Sequence, residues 1–249
     1  MIAGLLPGRW VPDVLCALDR MISAHGHTSA QFDPKRPPLA VFDWDNTCAR
    51  GDIGESVMDA LEKRDSRDRW SEYTRLIERD GKPAAYTYCA CQMAGMTEAE
   101  LRELTQEVIE DCLASGRIRK RPEMQDLIET LQRHGWNVWI VSASSQAMVE
   151  VFAKSYGVAA DHVIGVRLQR DHDGKLLPKL DGPLTFRDGK VRAIEKYIGV
   201  VPMFAAGDTD TDVEMLQFAH YRLLIDAGNP QARRAAIDGG WWIQPATWD

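Results

Sequence analysis

Apolar positions along the chain switch between helical and strand-like spacing, and the switches mark its elements. Val11, Val14, Leu15, Leu18 and Ile22 recur at helical spacing and predict a helix over 11–24. The stretch Asp33-Pro34-Lys35-Arg36-Pro37-Pro38 then breaks regular structure. Leu39-Ala40-Val41-Phe42-Asp43 is a short continuous apolar run, the pattern of a strand buried on both faces. It stops at Asp43-Trp44-Asp45-Asn46-Thr47. From 52 to 118 the pattern is helix upon helix with no convincing strand. Trp70, Tyr73 and Ile77 share one face, and Thr97 with Glu100 forms a capping box ahead of Leu101, Leu104, Val108 and Cys112.

Strand and helix alternate after that block. Pro122 opens a helix with Met124, Leu127, Ile128 and Leu131 on one stripe, closed by His134-Gly135. A strand over Asn137–Val141 ends at Ser142, and a helix over Ser145–Tyr156 ends at Gly157. Val163–Leu168 reads as a strand before a turn at Asp171-His172-Asp173-Gly174. A helix near Lys190, a strand over Met203–Ala206, a short helix over Val213–Phe218, a strand over Arg222–Ile225 and a final Trp241-Trp242-Ile243 segment complete the pattern. Such alternation predicts an α/β fold, a doubly wound parallel sheet with helices on both faces. The expected organisation is 1–51 as N-terminal helix and first core strand, 52–118 as an inserted helical domain, and 119–249 as the rest of the core.

Composition narrows the function classes. The 249 residues carry 30 Lys+Arg against 37 Asp+Glu, a net charge of −7. That balance argues against a nucleic-acid partner, which needs a basic face, and against adsorption to anionic membranes. No apolar run approaches the roughly 20 residues of a membrane helix. Met1–Pro7 lacks the basic start and sustained apolar stretch of a secretory signal. Cys16, Cys48, Cys89, Cys91 and Cys112 are odd in number and lack paired zinc spacing, so free thiols in a reducing cytoplasm are expected.

The chemistry lies where the strands stop. Asp43 and Asp45 follow the first core strand, Ser142 the second and Asp208 a later one, with Asp212 four residues on. In an open parallel sheet those ends converge on one crevice. Two like charges about 4 Å apart repel by roughly 4 kcal/mol at an effective dielectric of 20. Asp43, Asp45, Asp208 and Asp212 can therefore cluster only around a cation or with a proton among them. Hard oxygen ligands without His or Cys favour Mg2+ over zinc. A lysine and a hydroxyl beside such a centre suit phosphate.

Asp43-Trp44-Asp45-Asn46-Thr47, Ser142, Lys190 and Gly207-Asp208-Thr209-Asp210-Thr211-Asp212 resemble, in order, the four motifs of the haloacid dehalogenase (HAD) superfamily of phosphohydrolases. The resemblance implies a HAD-like Rossmannoid core and makes Asp43 the nucleophile that forms an aspartyl-phosphate. It makes Asp45 the general acid and base, with its backbone carbonyl on the metal. Thr47 is expected to help position Asp45 on the phosphate side. Ser142, with the following amide at Ala143, is expected to bind a phosphate oxygen. Lys190 is expected to pair with Asp43 and the phosphoryl oxygens. It is preferred to Lys175, Lys179 and Lys196 because it follows Gly189 at a helix start. Asp208 is expected to ligate Mg2+, and Asp212 to ligate it or hold its waters. The superfamily's dehalogenases lack the second aspartate, so Asp45 points to phosphoester chemistry.

The helical block falls where the superfamily inserts its first type of cap domain. Glu55, twelve residues after Asp43, resembles an acidic residue of the phosphoserine-phosphatase-like branch, and more closely of the bacterial phosphorylcholine phosphatases, where it faces a cationic amine. Asp52, Glu55, Trp70, Tyr73, Tyr86 and Tyr88 are thus candidates for a cation site, while Trp70, Tyr73 and Ile77 as cap core and Glu55 as helix N-terminal charge is the other reading. Arg50, Arg64, Arg67, Arg69 and Arg75 are candidate partners for a substrate carboxylate. The expected partner is a small phosphorylated metabolite. Hydrolysis, phosphoryl transfer to another acceptor, and binding without turnover all remain open at this point.

Overall fold

The computed structural model describes residues 4–246; residues 1–3 of the N-terminal segment and 247–249 lie outside the described part. The strands β1 (Leu39–Phe42), β4 (Asn137–Ser145), β5 (Val163–Val166), β8 (Phe204–Gly207), β9 (Tyr221–Asp226) and β10 (Trp242–Pro245) form one sheet in the order β10-β9-β8-β1-β4-β5. Every pairing in it is parallel. Strand alternation splits β1 between two cores. Ala40 and Phe42 join the side carrying α1 (Pro12–His25), α6 (Pro122–Arg133) and α7 (Gln146–Ala153). Leu39 and Val41 join the side carrying α8 (Asp188–Tyr197), α9 (Val213–Phe218) and α10 (Pro230–Asp238). The expected α/β architecture is the observed one.

The predicted stripe of α6 is buried as expected, since Met124, Leu127, Ile128 and Leu131 are all inaccessible. The 146–156 segment is α7 followed by a 3-10 turn, Lys154–Tyr156, which stops at Gly157 in the left-handed region. Trp44, from the first acidic turn, packs edge-on against Phe152 and Tyr156 of that segment.

Helices α2 (Ile53–Asp65), α3 (Arg69–Asp80), α4 (Lys82–Cys91) and α5 (Glu98–Ser115) lie between two short antiparallel strands, β2 (Ala49–Arg50) and β3 (Arg119–Lys120). The Thr97–Glu100 capping box is present at the start of α5. The face of α3 differs from expectation. Leu76 and Arg69 are buried while Ile77 is exposed, and the Trp70 indole N–H donates to Asp59 at 2.7 Å.

Besides the short β2 and β3, a hairpin and a helix escape the sequence pattern. Beyond β5 the chain forms an antiparallel hairpin, β6 (Leu168–Arg170) and β7 (Leu176–Leu180), across the expected 171–174 turn. The hairpin leaves the sheet and grips the helical block: Gly95 N–H donates to Leu176 O, and Leu176 N–H to Met96 O, each at 2.8 Å. Helix α10 is the other, capped by the Asn229 side chain with Pro230 at its first turn. Among the described residues no helix is long and apolar enough to cross a membrane.

Candidate active site

Three strand ends build the site. Asp43 leaves β1, Ser142 lies in β4 where the pairing with β5 breaks between Val141 and Ser145, and Asp208 follows β8. Carboxylate oxygens of Asp43, Asp208 and Asp212, all buried, come within 4.8 Å of one another. Of the four aspartates expected to converge, Asp43, Asp208 and Asp212 come together there, and the Asp45 carboxylate lies outside that group.

Lys190 is the lysine that reaches them. Its ammonium is fully buried and sits 2.6 Å from Asp43 Oδ1 and 2.6 Å from Asp212 Oδ1. Gly189 makes this placement feasible, since a Cβ there would stand 1.8 Å from Leu184 O. Burial alone would push the ammonium down, but Asp212 and Asp43 outweigh it and hold its pKa above the usual lysine range. Burial and then Asp212 push the Asp43 carboxyl up to about 7 against the pull of Lys190. Burial, Asp212 and Asp43 likewise raise Asp208 well above the ordinary carboxylate range. Three carboxylates facing one ammonium leave two negative charges uncompensated, and the donors are all hard oxygens. That set fits a divalent cation.

Asp212 has a second task. Its Oδ2 accepts from the N–H groups of Asp208 and Thr209 at 3.1 Å each, folding the turn onto its own side chain. Gly207 permits this, because a Cβ would come within 2.6 Å of Asp212 Cβ. With Lys190 on the other oxygen, the Asp212 carboxylate is already committed to protein donors. Asp208 keeps more freedom, with Thr47 at 3.2 Å from its Oδ1.

Thr47 differs from expectation. Its hydroxyl donates to Asp43 Oδ2 at 2.8 Å and to Asp208, so it orients those two carboxylates rather than Asp45. Asp45 is instead held by Ile53 N–H at 2.8 Å on one oxygen and by the Ser144 hydroxyl at 2.7 Å on the other. Ile53 is the first residue of α2, so this carboxylate bridges the helical block and the core. Burial, followed by the charge of Asp52, pushes its carboxyl up to about 7. Ser142 is buried, with its hydroxyl 3.4 Å from Asp45 and accepting from Ser144 N–H at 3.0 Å.

Beside this centre is a cavity lined by Asp52, Glu55, Met58, Tyr73, Tyr86, Cys89, Met93, Ala143, Ser144 and Met148, among others. Ala143 and Glu55 thus fall together with the acidic turn. Asp52 caps α2 by accepting from Glu55 N–H at 2.8 Å, so the pair also serves the helix start. Burial and Glu55 push Asp52 up to about 7; Glu55, still largely exposed at the cavity, is raised too by its crowding and by Asp45. Tyr73 and Tyr86 line the cavity, whereas Trp70 and Tyr88 do not. Tyr86 also packs on Phe186 of the core, with ring centres 5.0 Å apart.

One turn before Tyr86, Lys82 reaches the buried Asp210 carboxylate at 3.1 Å. Arg187 and Asn229 bond the same carboxylate. Four of the candidate arginines turn elsewhere: Arg64 to Glu107, Arg67 and Arg69 to Asp65, and Arg75 to Glu72. Arg50 does not line the cavity either.

The chain belongs to the haloacid dehalogenase-like hydrolase family, whose match spans residues 40–217. It is 26% identical over 275 residues to a phosphorylcholine phosphatase of Pseudomonas aeruginosa, covering 83% of this chain and 76% of that one. It is 28% identical over 202 residues to a phosphoserine phosphatase of Halobacterium salinarum, covering 76% and 85%. A solved structure from Anaerococcus prevotii, of unknown function, superposes with a TM-score of 0.83 at 21% identity, covering 98% of this chain and 94% of that one. With the site geometry, these likenesses make the chain a phosphatase-like hydrolase.

Proposed function

We propose that the protein is a Mg2+-dependent phosphomonoesterase acting through an aspartyl-phosphate on Asp43, with a small amine-bearing phosphate ester as substrate. The observation that carries the reading is the division of the Asp43 carboxylate between Lys190 on one oxygen and Thr47 on the other, at 2.6 and 2.8 Å. An oxygen fixed in that way is aimed at a phosphorus atom bound among Lys190, Ser142 and the Ala143 amide. A divalent ion held by Asp43, Asp208 and the Asp45 carbonyl, with Asp212 behind it, would neutralise carboxylate and phosphate charge there.

Asp43 Oδ attacks phosphorus in line, the bond from phosphorus to the alcohol oxygen breaks, and Asp45 delivers its proton to that oxygen. Asp45, now ionised, takes a proton from water as that water attacks the aspartyl-phosphate, returning Asp43 and releasing phosphate. Lys190 stays charged throughout and draws charge off the phosphoryl oxygens.

The helical block, 52–118, acts as the cap. Its Asp52, Glu55, Tyr73 and Tyr86 present carboxylates and aromatic rings to the leaving group, a combination suited to an alkylammonium. Among the described residues the cavity lining includes no arginine or lysine. That favours a leaving group without a carboxylate, such as choline or ethanolamine, over serine. The free thiols of Cys16, Cys48, Cys89, Cys91 and Cys112 support a cytoplasmic setting.

Turnover of phosphocholine, phosphoethanolamine and phosphoserine should be measured with Mg2+, with EDTA and in Asp43→Asn. Preference for the first two, abolished by EDTA and by the substitution, is expected. Retained activity in Asp43→Asn would remove Asp43 as nucleophile, and a flat substrate profile would remove the cation site.

A further inference from the structure

The turn that follows Asp43 needs outside support. The N–H groups of Thr47, Cys48 and Ala49 all point at one acceptor, Trp44 O, at 3.3, 2.9 and 3.3 Å. Asn46, in the left-handed region with φ 61°, begins this tight curl. The carbonyls of Asn46, Thr47 and Cys48 find no partner within this curl, like those at the end of a helix, and Thr47 and Cys48 are buried while Asn46 is half-buried.

Two side chains from beyond the helical block satisfy all three. Arg121, buried at the start of α6, donates through Nη1 to Asn46 O and, at 3.2 Å, to Thr47 O. Tyr156, fully buried, donates to Cys48 O at 2.8 Å and accepts from Arg121 N–H at 3.0 Å. Neither residue touches the carboxylate cluster. Their hold on the turn is nevertheless the hold on Thr47, and the Thr47 hydroxyl fixes the second oxygen of Asp43.

We infer that Arg121 and Tyr156 form a clamp of positioning residues that sets the Asp43 carboxylate for attack by fixing the 46–48 turn. The inference rests on the phosphatase reading above. Arg121 directly follows β3, and β3 pairs with β2 immediately after the turn, Ala49 opposite Lys120. The clamp and the two strands that enter and leave the helical block are therefore one connected unit. A buried guanidinium on carbonyls forms charge-assisted bonds, stronger than neutral ones and directional. Lysine at 121 keeps the charge but not the fork, and methionine keeps neither.

The test compares Tyr156→Phe, Arg121→Lys, Arg121→Met and a core control in α6, Ile128→Val. Steady-state and single-turnover rates on the best substrate are measured with thermal unfolding of each protein. Tyr156→Phe should lower kcat and the single-turnover rate by about tenfold, the loss of one bond worth roughly 1.4 kcal/mol, with KM within about twofold. Arg121→Met should lose more, and Arg121→Lys should recover part of that loss. Ile128→Val should lower the unfolding temperature without touching kcat. Wild-type kcat in folded Tyr156→Phe overturns the clamp, even if Arg121→Met fails to fold. So does a loss that follows unfolding temperature across all four variants. A wild-type protein that hydrolyses no phosphate ester overturns the phosphatase reading instead, and this inference with it.

Discussion

Replacing Asp45 by asparagine separates proton transfer from geometry. The carboxylate accepts from Ile53 N–H at 2.8 Å through one oxygen and from the Ser144 hydroxyl at 2.7 Å through the other. An asparagine keeps its oxygen for Ile53 and turns its amide N–H toward Ser144 Oγ, which can accept. The side chain stays in place and only the transferable proton disappears. A positioned acid contributes about 10²–10⁴ in rate, or roughly 3–5 kcal/mol at about 1.36 kcal/mol per tenfold. The assay is single-turnover phosphoryl transfer from an alkyl phosphate and from p-nitrophenyl phosphate, whose leaving group departs as a stable anion. The expected loss is about 10²–10⁴ on the alkyl ester and much less on the nitrophenyl ester. Equal losses on both would mean that the substitution deforms the site, refuting the argument from geometry. No loss on either would take Asp45 out of proton transfer.

Two other perturbations address the cavity. Glu55→Gln should raise KM for phosphocholine by about tenfold, the value of one charge contact near 1.4 kcal/mol, while leaving KM for p-nitrophenyl phosphate unchanged; equal effects on both would detach Glu55 from the amine. The Asp52 carboxyl is raised from 3.8 to about 7, first by burial and then by Glu55. Its contribution to stability is thus full below about pH 4 and lost as pH rises through about 7. In chelator-treated protein, Asp52→Asn, which can still cap α2, should flatten that decline by about 2 kcal/mol after allowing for solvent screening. Denaturant melts across this range check it, and an unchanged slope would contradict the raised carboxyl.

Much of this architecture was legible in residue spacing because polar residues interrupt buried strands so abruptly. Leu39–Phe42 and Phe204–Gly207 have no polar side chain until Asp43 and Asp208, so the crevice could be placed from periodicity alone. Lys190 came from the motif resemblance, and Gly189 at a helix start set it apart from Lys175, Lys179 and Lys196. The supporting residues were not legible. Ser144 holds Asp45 because the β4–β5 pairing breaks near it, and register irregularities leave little trace in composition. Nothing in the residue spacing marks Arg121 or gives Asp210 a role of its own, yet both are buried. The Leu176–Leu180 strand contains Pro178 and Lys179 and packs on the helical block rather than in the sheet, so alternation did not mark it. Helix α10 carries a clear Asn-Pro start but buries only two alanines, too narrow a stripe for periodicity to reveal. In α3, the misread face came from counting Ile77 as core where Leu76 is buried.

The central claim is that Asp43 itself takes the phosphoryl group. Wild-type protein mixed with excess substrate and Mg2+, quenched in acid within a turnover and mapped by mass spectrometry, should carry one phosphoryl group on the peptide holding Asp43. The adduct should be absent in Asp43→Asn and should build up in Asp45→Asn given p-nitrophenyl phosphate, with which transfer is little slowed but water activation fails. Steady turnover with no acid-stable adduct on that peptide in either the wild-type or the Asp45→Asn protein, or an adduct on another residue, would contradict the account.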